Sequence, residues 1–238
     1  MRGRGWGAAY REGVIQVRRG EGRYRGGDAG AGIESLHAFS FSGFYDPENV
    51  RFGALVACNE ERLKAGAGFG EHQHRDMEIV TWVVEGELIH RDSEGNERYV
   101  RPGDVQHLSA GSGVTHVERN DGDGPLRFVQ MWLMPRGPGG KPAYELVRGI
   151  ADGTPLAVEA AGALLHVRRL APGERTALPD APWVYAHVVR GTVGLGGEEV
   201  REGDAARIAG AEGLEITAAG GPAEVLVWEM NAAGPEYG

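Results

Sequence analysis

Two short motifs in this chain carry residue types that bind metal ions. His72-Gln73-His74 comes first, and His116-Val117-Glu118 begins 42 residues beyond His74 (116 − 74). Each has the form ligand-x-ligand. On a β-strand successive side chains alternate faces, so residues i and i+2 point into one space. Two neighbouring strands built this way would aim three imidazoles and one carboxylate at a common point. That donor set suits a first-row transition metal, with positions left open for water, substrate or oxygen.

The elements that must position these motifs read as strands. Val14–Val17, Ala38–Phe44, Ala54–Asn59, Ile79–Val84, Leu88–Arg91, Glu97–Val100, Val105–Leu108, Val114–Arg119 and Arg127–Leu133 are short β-branched or aromatic runs. Turn signals separate them, among them Asp92-Ser93-Glu94-Gly95-Asn96 and Asn120-Asp121-Gly122-Asp123-Gly124. Short strands at intervals of about 8–12 residues, split by turns, predict a sandwich or barrel. Composition agrees. Glycine supplies 40 of 238 residues and apolar residues 41%, which favours a tightly turned all-β protein with a real core over a helical one. After Pro135-Arg136-Gly137-Pro138-Gly139-Gly140-Lys141-Pro142 the strand pattern resumes at Leu164–Leu170, Val184–Val189, Thr192–Leu195, Ala206–Ile208, Leu214–Thr217 and Val225–Glu229.

The two halves echo each other. Glu85-Gly86-Glu87-Leu88 matches Arg190-Gly191-Thr192-Val193, and Arg101-Pro102-Gly103-Asp104 matches Arg201-Glu202-Gly203-Asp204. This predicts two copies of one barrel. Counted from Gly191 and Asp204, the positions equivalent to His72, His74, His116 and Glu118 are Ala177, Pro179, Ile216 and Ala218. None of these has a ligating side chain, so the first barrel is expected to hold the metal and the second none.

Charge and cysteine content narrow the function classes. The net charge of −9 argues against direct nucleic-acid binding. Seven arginines against two acids in residues 1–25 read as a solvated leader. A single cysteine, Cys58, excludes an intrachain disulfide, and its apolar neighbours place it in a core strand. No apolar stretch approaches the ~18 residues of a membrane span, and residues 1–7 carry no signal-peptide core, so a cytoplasmic location is expected. Gly66-Ala67-Gly68-Phe69-Gly70 lacks the phosphate-loop fingerprint and reads as a turn ahead of the ligand strand. His90, His107, His166 and His187 lack paired spacing and are expected to be structural.

The pattern His72-x-His74-x3-Glu78-x7-Gly86, then Pro102-Gly103-Asp104, then His116-x3-Asn120, resembles the two motifs of the cupin superfamily. Within it the chain resembles the pirin family, bicupins that include bacterial quercetinases. The likeness runs from about residue 33 to 135, through His72–Thr81, His90–Asn96, Pro102–Gln106 and Ser109–Glu118. It implies an all-β fold of two tandem cupin barrels: a metal-binding barrel over 1–135, a linker over 136–155, and a degenerate barrel over 156–238 with a loose tail from about 231.

The resemblance also implies metal ligands at His72, His74, His116 and Glu118. Many cupins would use Glu78 instead; pirins use the later glutamate, which leaves Glu78 a supporting role. The implied cofactor is one divalent transition metal, Fe(II) first, with Ni, Mn, Cu, Co or Zn as alternatives. The implied activity is a quercetinase-like flavonol 2,3-dioxygenase acting on a flavonol or other small phenolic and O2, with Glu118, loosely held, as the general base. The alternative is a non-enzymatic, metal-binding regulatory protein with a protein partner.

Overall fold

The structure is a computed structural model that describes residues 13–210 and 212–231. The start of the arginine-rich leader, residues 1–12, and the tail beyond 231 lie outside the described residues. Apart from one short 3-10 turn at Gly20–Gly22, strands are the only regular secondary structure among the described residues. The first half runs β1 (Val14–Arg18), β2 (Tyr24–Asp28), β3 (Ile33–His37), β4 (Leu55–Leu63), β5 (Gly68–His74), β6 (Glu78–Glu85), β7 (Leu88–Asp92), β8 (Glu97–Val100), β9 (Val105–Ser109), β10 (Val114–Arg119) and β11 (Leu126–Leu133). The second runs β12 (Ala143–Val147), β13 (Leu156–Val158), β14 (Ala163–Leu170), β15 (Arg175–Ala177), β16 (Trp183–Arg190), β17 (Thr192–Leu195), β18 (Glu198–Arg201), β19 (Ala205–Ala209), β20 (Glu215–Ala218) and β21 (Ala223–Met230). Among the described residues no helix is long and apolar enough to cross a membrane.

Each half forms a pair of antiparallel sheets. A seven-stranded sheet, β12-β9-β6-β11-β4-β3-β2, faces the four-stranded β5-β10-β7-β8. A six-stranded sheet, β1-β19-β16-β21-β14-β13, goes with the four-stranded β15-β20-β17-β18. The two large sheets pack on each other. Trp82, Val129 and Met131 of one share a buried apolar cluster with Tyr185, Leu226 and Trp228 of the other. The two indoles are satisfied across the seam: the Trp228 indole N–H points at Met131 Sδ (3.1 Å), and that of Trp82 donates to Glu224 (3.0 Å).

The internal repeat is visible in backbone detail. Gly86 and Gly191 both have positive φ (79° and 76°), and a Cβ there would lie 2.5 Å from Pro125 O and 2.3 Å from Pro222 O. Only glycine fits at either turn. Asp104 and Asp204 accept from Arg101 N (3.1 Å) and Arg201 N (3.0 Å) in the same way.

The edges of the two barrels are exchanged, which changes the expected domain boundaries. β1, expected with the first barrel, pairs with β19 of the second, Val14 opposite Ala209 through Arg18 opposite Ala205. β12, expected inside a linker, pairs with β9 of the first, Ala143 opposite Ser109 through Val147 opposite Val105. The Arg-Gly pair after each strand then closes on the repeated aspartate. Arg19 Nη1 and Gly20 N reach Asp204 (2.9 and 2.8 Å), and Arg148 Nη1 and Gly149 N reach Asp104 (2.6 and 3.0 Å). Each repeat therefore sends its leading strand to the other barrel, ties the two together, and covers an edge that would otherwise be open.

One expected strand is absent. Ala38–Phe44 contains bends and a single bridge between Phe41 and Phe44. Its aromatic residues suggested a strand, but Ser42 takes a positive φ (54°), and the Ser40 hydroxyl accepts from Asp46 N (2.8 Å), which holds the segment in a turn.

Candidate metal centre

β5 and β10 are neighbours in the small sheet of the first barrel, with His116 directly opposite His72 and Val114 opposite His74. The strands approach closely because Gly68 leaves room: a Cβ there would sit 2.5 Å from Arg119 Cγ and 2.8 Å from Glu118 O. A register shift between His116 and Glu118 bulges β10 beside the site, a device that re-aims side chains.

The three imidazoles converge. Ring centroids lie 4.8 Å apart for His72–His74, 4.4 Å for His72–His116 and 4.9 Å for His74–His116. His72 Nδ1 contacts the Gly70 carbonyl (2.8 Å). A carbonyl only accepts, so Nδ1 carries a proton and Nε2 is the nitrogen turned toward the cluster. That Nε2 lies 3.0 Å from His116 Nε2. Metal–nitrogen bonds of about 2.1 Å at right angles place two nitrogens about 3.0 Å apart. His74 Nε2 is buried and has no hydrogen-bond partner. A buried, unpaired ring nitrogen is costly unless something occupies its lone pair, and a metal ion is what this cluster fits. Burial pushes the His74 and His116 imidazoles down to about 4, and the neighbouring histidines push the same way. Both are neutral at physiological pH, the form that ligates.

Glu118 is fully buried and is not loosely held, contrary to expectation. Its Oε1 accepts from Gln106 Nε2 (3.0 Å) and its Oε2 from Gln130 Nε2 (2.7 Å). The two amides are themselves oriented: Tyr144 OH donates to Gln106 Oε1 (3.1 Å), and Trp132 Nε1 donates to Gln130 Oε1 (3.0 Å). Burial opposes ionisation of Glu118, but His116, His90 and the two amides outweigh it and hold the carboxyl below the ordinary range. Its carboxylate groups spatially with His116 and His90, while His72, His74 and His116 form the other set, each set lying within 4.8 Å. Glu118 thus joins the cluster through His116.

Glu78 is committed elsewhere, as the supporting role requires. Its oxygens meet His107 Nε2 (2.7 Å) and Ser109 Oγ (2.8 Å).

The second barrel has no such cluster among its described residues. Its interior is filled by Leu178, Ile216, Ala218, Val193 and Val225, among other apolar side chains. The register also corrects the expected equivalence by one residue. Ile216 lies opposite Thr176, so the counterpart of His72 is Thr176 and not Ala177.

A pirin family model matches residues 18–133, and a model described as the quercetinase C-terminal cupin domain matches residues 156–230. The chain belongs to the pirin family. A Mycobacterium tuberculosis protein provisionally named a quercetin 2,3-dioxygenase is 42% identical over 218 residues, covering 84% of this chain and 89% of that one. The quercetin 2,3-dioxygenase of Escherichia coli K12 is 45% identical over 114 residues, 48% of this chain and 49% of that one. The crystal structure of the bacterial pirin YhhW of E. coli, in complex with nickel(II), superposes with a TM-score of 0.84. It is 31% identical, covering 92% of this chain and 100% of that one. Two cupin-like barrels are therefore the fold of this pirin.

One residue of the cluster escaped the sequence reading. His90, set aside as structural, is buried on β7 with its Nδ1 3.4 Å from His116 Nδ1. β7 pairs with β10 in a register that puts His90 opposite Glu118 and Asp92 opposite His116. A lone histidine has no spacing to mark it; the available signal was that His90-Arg91-Asp92 leads into the turn beside the ligand strand.

Proposed function

We propose that this pirin is a metal-dependent dioxygenase that opens the heterocyclic ring of a flavonol, with one divalent transition metal held by His72, His74 and His116 and with Glu118 as its fourth ligand. Fe(II) is the metal proposed, and nickel, named with the solved relative, is the first alternative. The observation that carries the reading is the convergence of three imidazoles, one with an unpaired buried nitrogen, beside an aromatic wall. The His74 ring meets Trp132 edge-on at 4.9 Å, and Trp132 meets Phe41 at 5.0 Å. Phe44 and Tyr45, further along the same turn, are exposed. A planar phenolic ring finds there an apolar surface next to a polar centre, the usual make-up of a small-molecule site. The names of the relatives support a flavonol.

When bound, the metal supplies Lewis acidity that lowers the pKa of a coordinated hydroxyl, and an orbital pathway to dioxygen. The protein does the rest. Trp132 and Phe41 orient the substrate ring beside the three histidines. Glu118 is the anionic member of the site and the acceptor for the flavonol 3-hydroxyl proton. Because its own pKa is held low, that transfer requires an acidified hydroxyl. Gln106 and Gln130 keep the carboxylate aimed throughout. The deprotonated flavonol then reacts with dioxygen, the ring opens, and carbon monoxide leaves.

The test is turnover by protein loaded with Fe(II) or Ni(II). Loss of the quercetin absorbance in air with release of carbon monoxide, and none without oxygen, is the expected result. Loss that persists without oxygen, or no loss with either metal, would overturn the proposal.

A further inference from the structure

We propose that His90 and Asp92 are positioning residues that fix the tautomer and orientation of His116. The inference rests on the reading in which His72, His74 and His116 hold the metal. A chain of hydrogen bonds carries it. Asp92 is locked by four contacts within its own turn: Oδ1 accepts from Glu94 N (3.0 Å), Asn96 N (2.9 Å) and Asn96 Nδ2 (3.1 Å), and Oδ2 accepts from Asn96 Nδ2 (2.9 Å). The remaining reach of Oδ2 is to His90 Nε2 (3.2 Å).

Two ring nitrogens in contact need one donor and one acceptor, and a carboxylate only accepts, so the arrangement that satisfies the whole chain places the His90 proton on Nε2 and an acceptor Nδ1 against His116. His116 must then donate from Nδ1 across 3.4 Å, which leaves the lone pair on Nε2, the nitrogen 3.0 Å from His72 Nε2. The His90 ring cannot swing away, because Tyr144 stacks on it at 4.7 Å and 29°. Both side chains are shut off from solvent, at 0% and 1% exposure, so no water competes for the chain. Ligating histidines ordinarily donate their second ring N–H to a carboxylate or carbonyl. Here a second imidazole is inserted between the ligand and the carboxylate. The same Tyr144 whose ring flanks His90 also orients Gln106, so this chain and the Glu118 clamp share one support.

The test is Ni(II) affinity by competition dialysis, with X-ray absorption to count bound imidazoles, on the full chain. His90→Phe keeps an aromatic ring against Tyr144 and removes both nitrogens. It is expected to weaken nickel binding about 10–100-fold, the range seen when such supports are lost, with three imidazoles still bound. Asp92→Asn is expected to weaken it by about tenfold in the wild-type background and by less than about twofold when His90→Phe is already present, because the two act in one chain.

Affinity within about twofold of wild type in folded His90→Phe would overturn the proposal. So would the loss of one bound imidazole, which would make His90 itself a ligand. If His90→Phe does not fold, Asp92→Asn decides alone: unchanged affinity refutes the chain. His74→Ala separates the two claims, since nickel affinity unchanged in that variant refutes the metal site itself rather than its positioning.

Discussion

Gln106→Leu isolates the clamp on Glu118 with little change in volume. Gln106 is fully buried, donates to Glu118 Oε1 at 3.0 Å and accepts from Tyr144 OH at 3.1 Å. The substitution strips one charge-assisted hydrogen bond from a buried carboxylate, about 1.5–3 kcal/mol. It also orphans the Tyr144 hydroxyl, which is half-buried and so costs about 1 kcal/mol at most. The sum is about 3 kcal/mol for the metal-free protein. For a chain of this length that corresponds to a fall in Tm of roughly 6–12 °C. Loaded with nickel, the variant should recover part of the loss, because a bound cation replaces the missing donor as a partner for the carboxylate. The assay is thermal unfolding by circular dichroism, with chelator and with excess Ni(II). A fall of less than about 2 °C in chelator would refute the claim that Gln106 holds an ionised Glu118.

Two further outcomes follow from buried titrating groups. Burial pushes Glu61 up to about 8, and the nearby Glu118 and Glu60 push the same way against a hydrogen bond from Ser35. Its folded pKa lies above its unfolded value, so stability is fully present below the ordinary carboxylate range and is lost as pH rises towards 8, at up to about 1.4 kcal/mol per pH unit. Glu61→Gln should flatten the pH dependence of urea unfolding between about 4.5 and 8, and parallel profiles for the two proteins would refute this. Burial also raises the Cys58 thiol to about 11. A disulfide reagent at pH 8 should leave the native protein unlabelled and label it fully in denaturant; rapid native labelling would contradict the burial of β4.

Much of the site was legible because it obeys a local rule. The i, i+2 spacing of His72 and His74 and of His116 and Glu118 is a strand property, and β5 and β10 place the motifs side by side. The glycine turns at Gly86 and Gly191 were legible for the same reason. What was hidden depends on pairing between distant segments. β1 and β12 are short runs whose partners lie 195 and 34 residues away (209 − 14 and 143 − 109), and nothing local reveals the exchange. The clamp on Glu118 draws Gln106, Gln130, Tyr144 and Trp132 from β9, β11 and β12, where each looks like an ordinary strand residue. His90 was passed over because its value comes from the register of β7 on β10. The Phe41–Phe44 turn misled because aromatic content favours strands, while serine hydroxyls bonding to backbone favour turns.

The central claim is a single metal centre in the first barrel held by three imidazoles. It is tested most directly by the metal content of untagged protein purified without chelators, beside His74→Ala and His116→Ala prepared identically. The account predicts about one transition-metal ion per chain in the wild type and essentially none in either variant. Two ions per chain, or an unchanged ion in both variants, would contradict it.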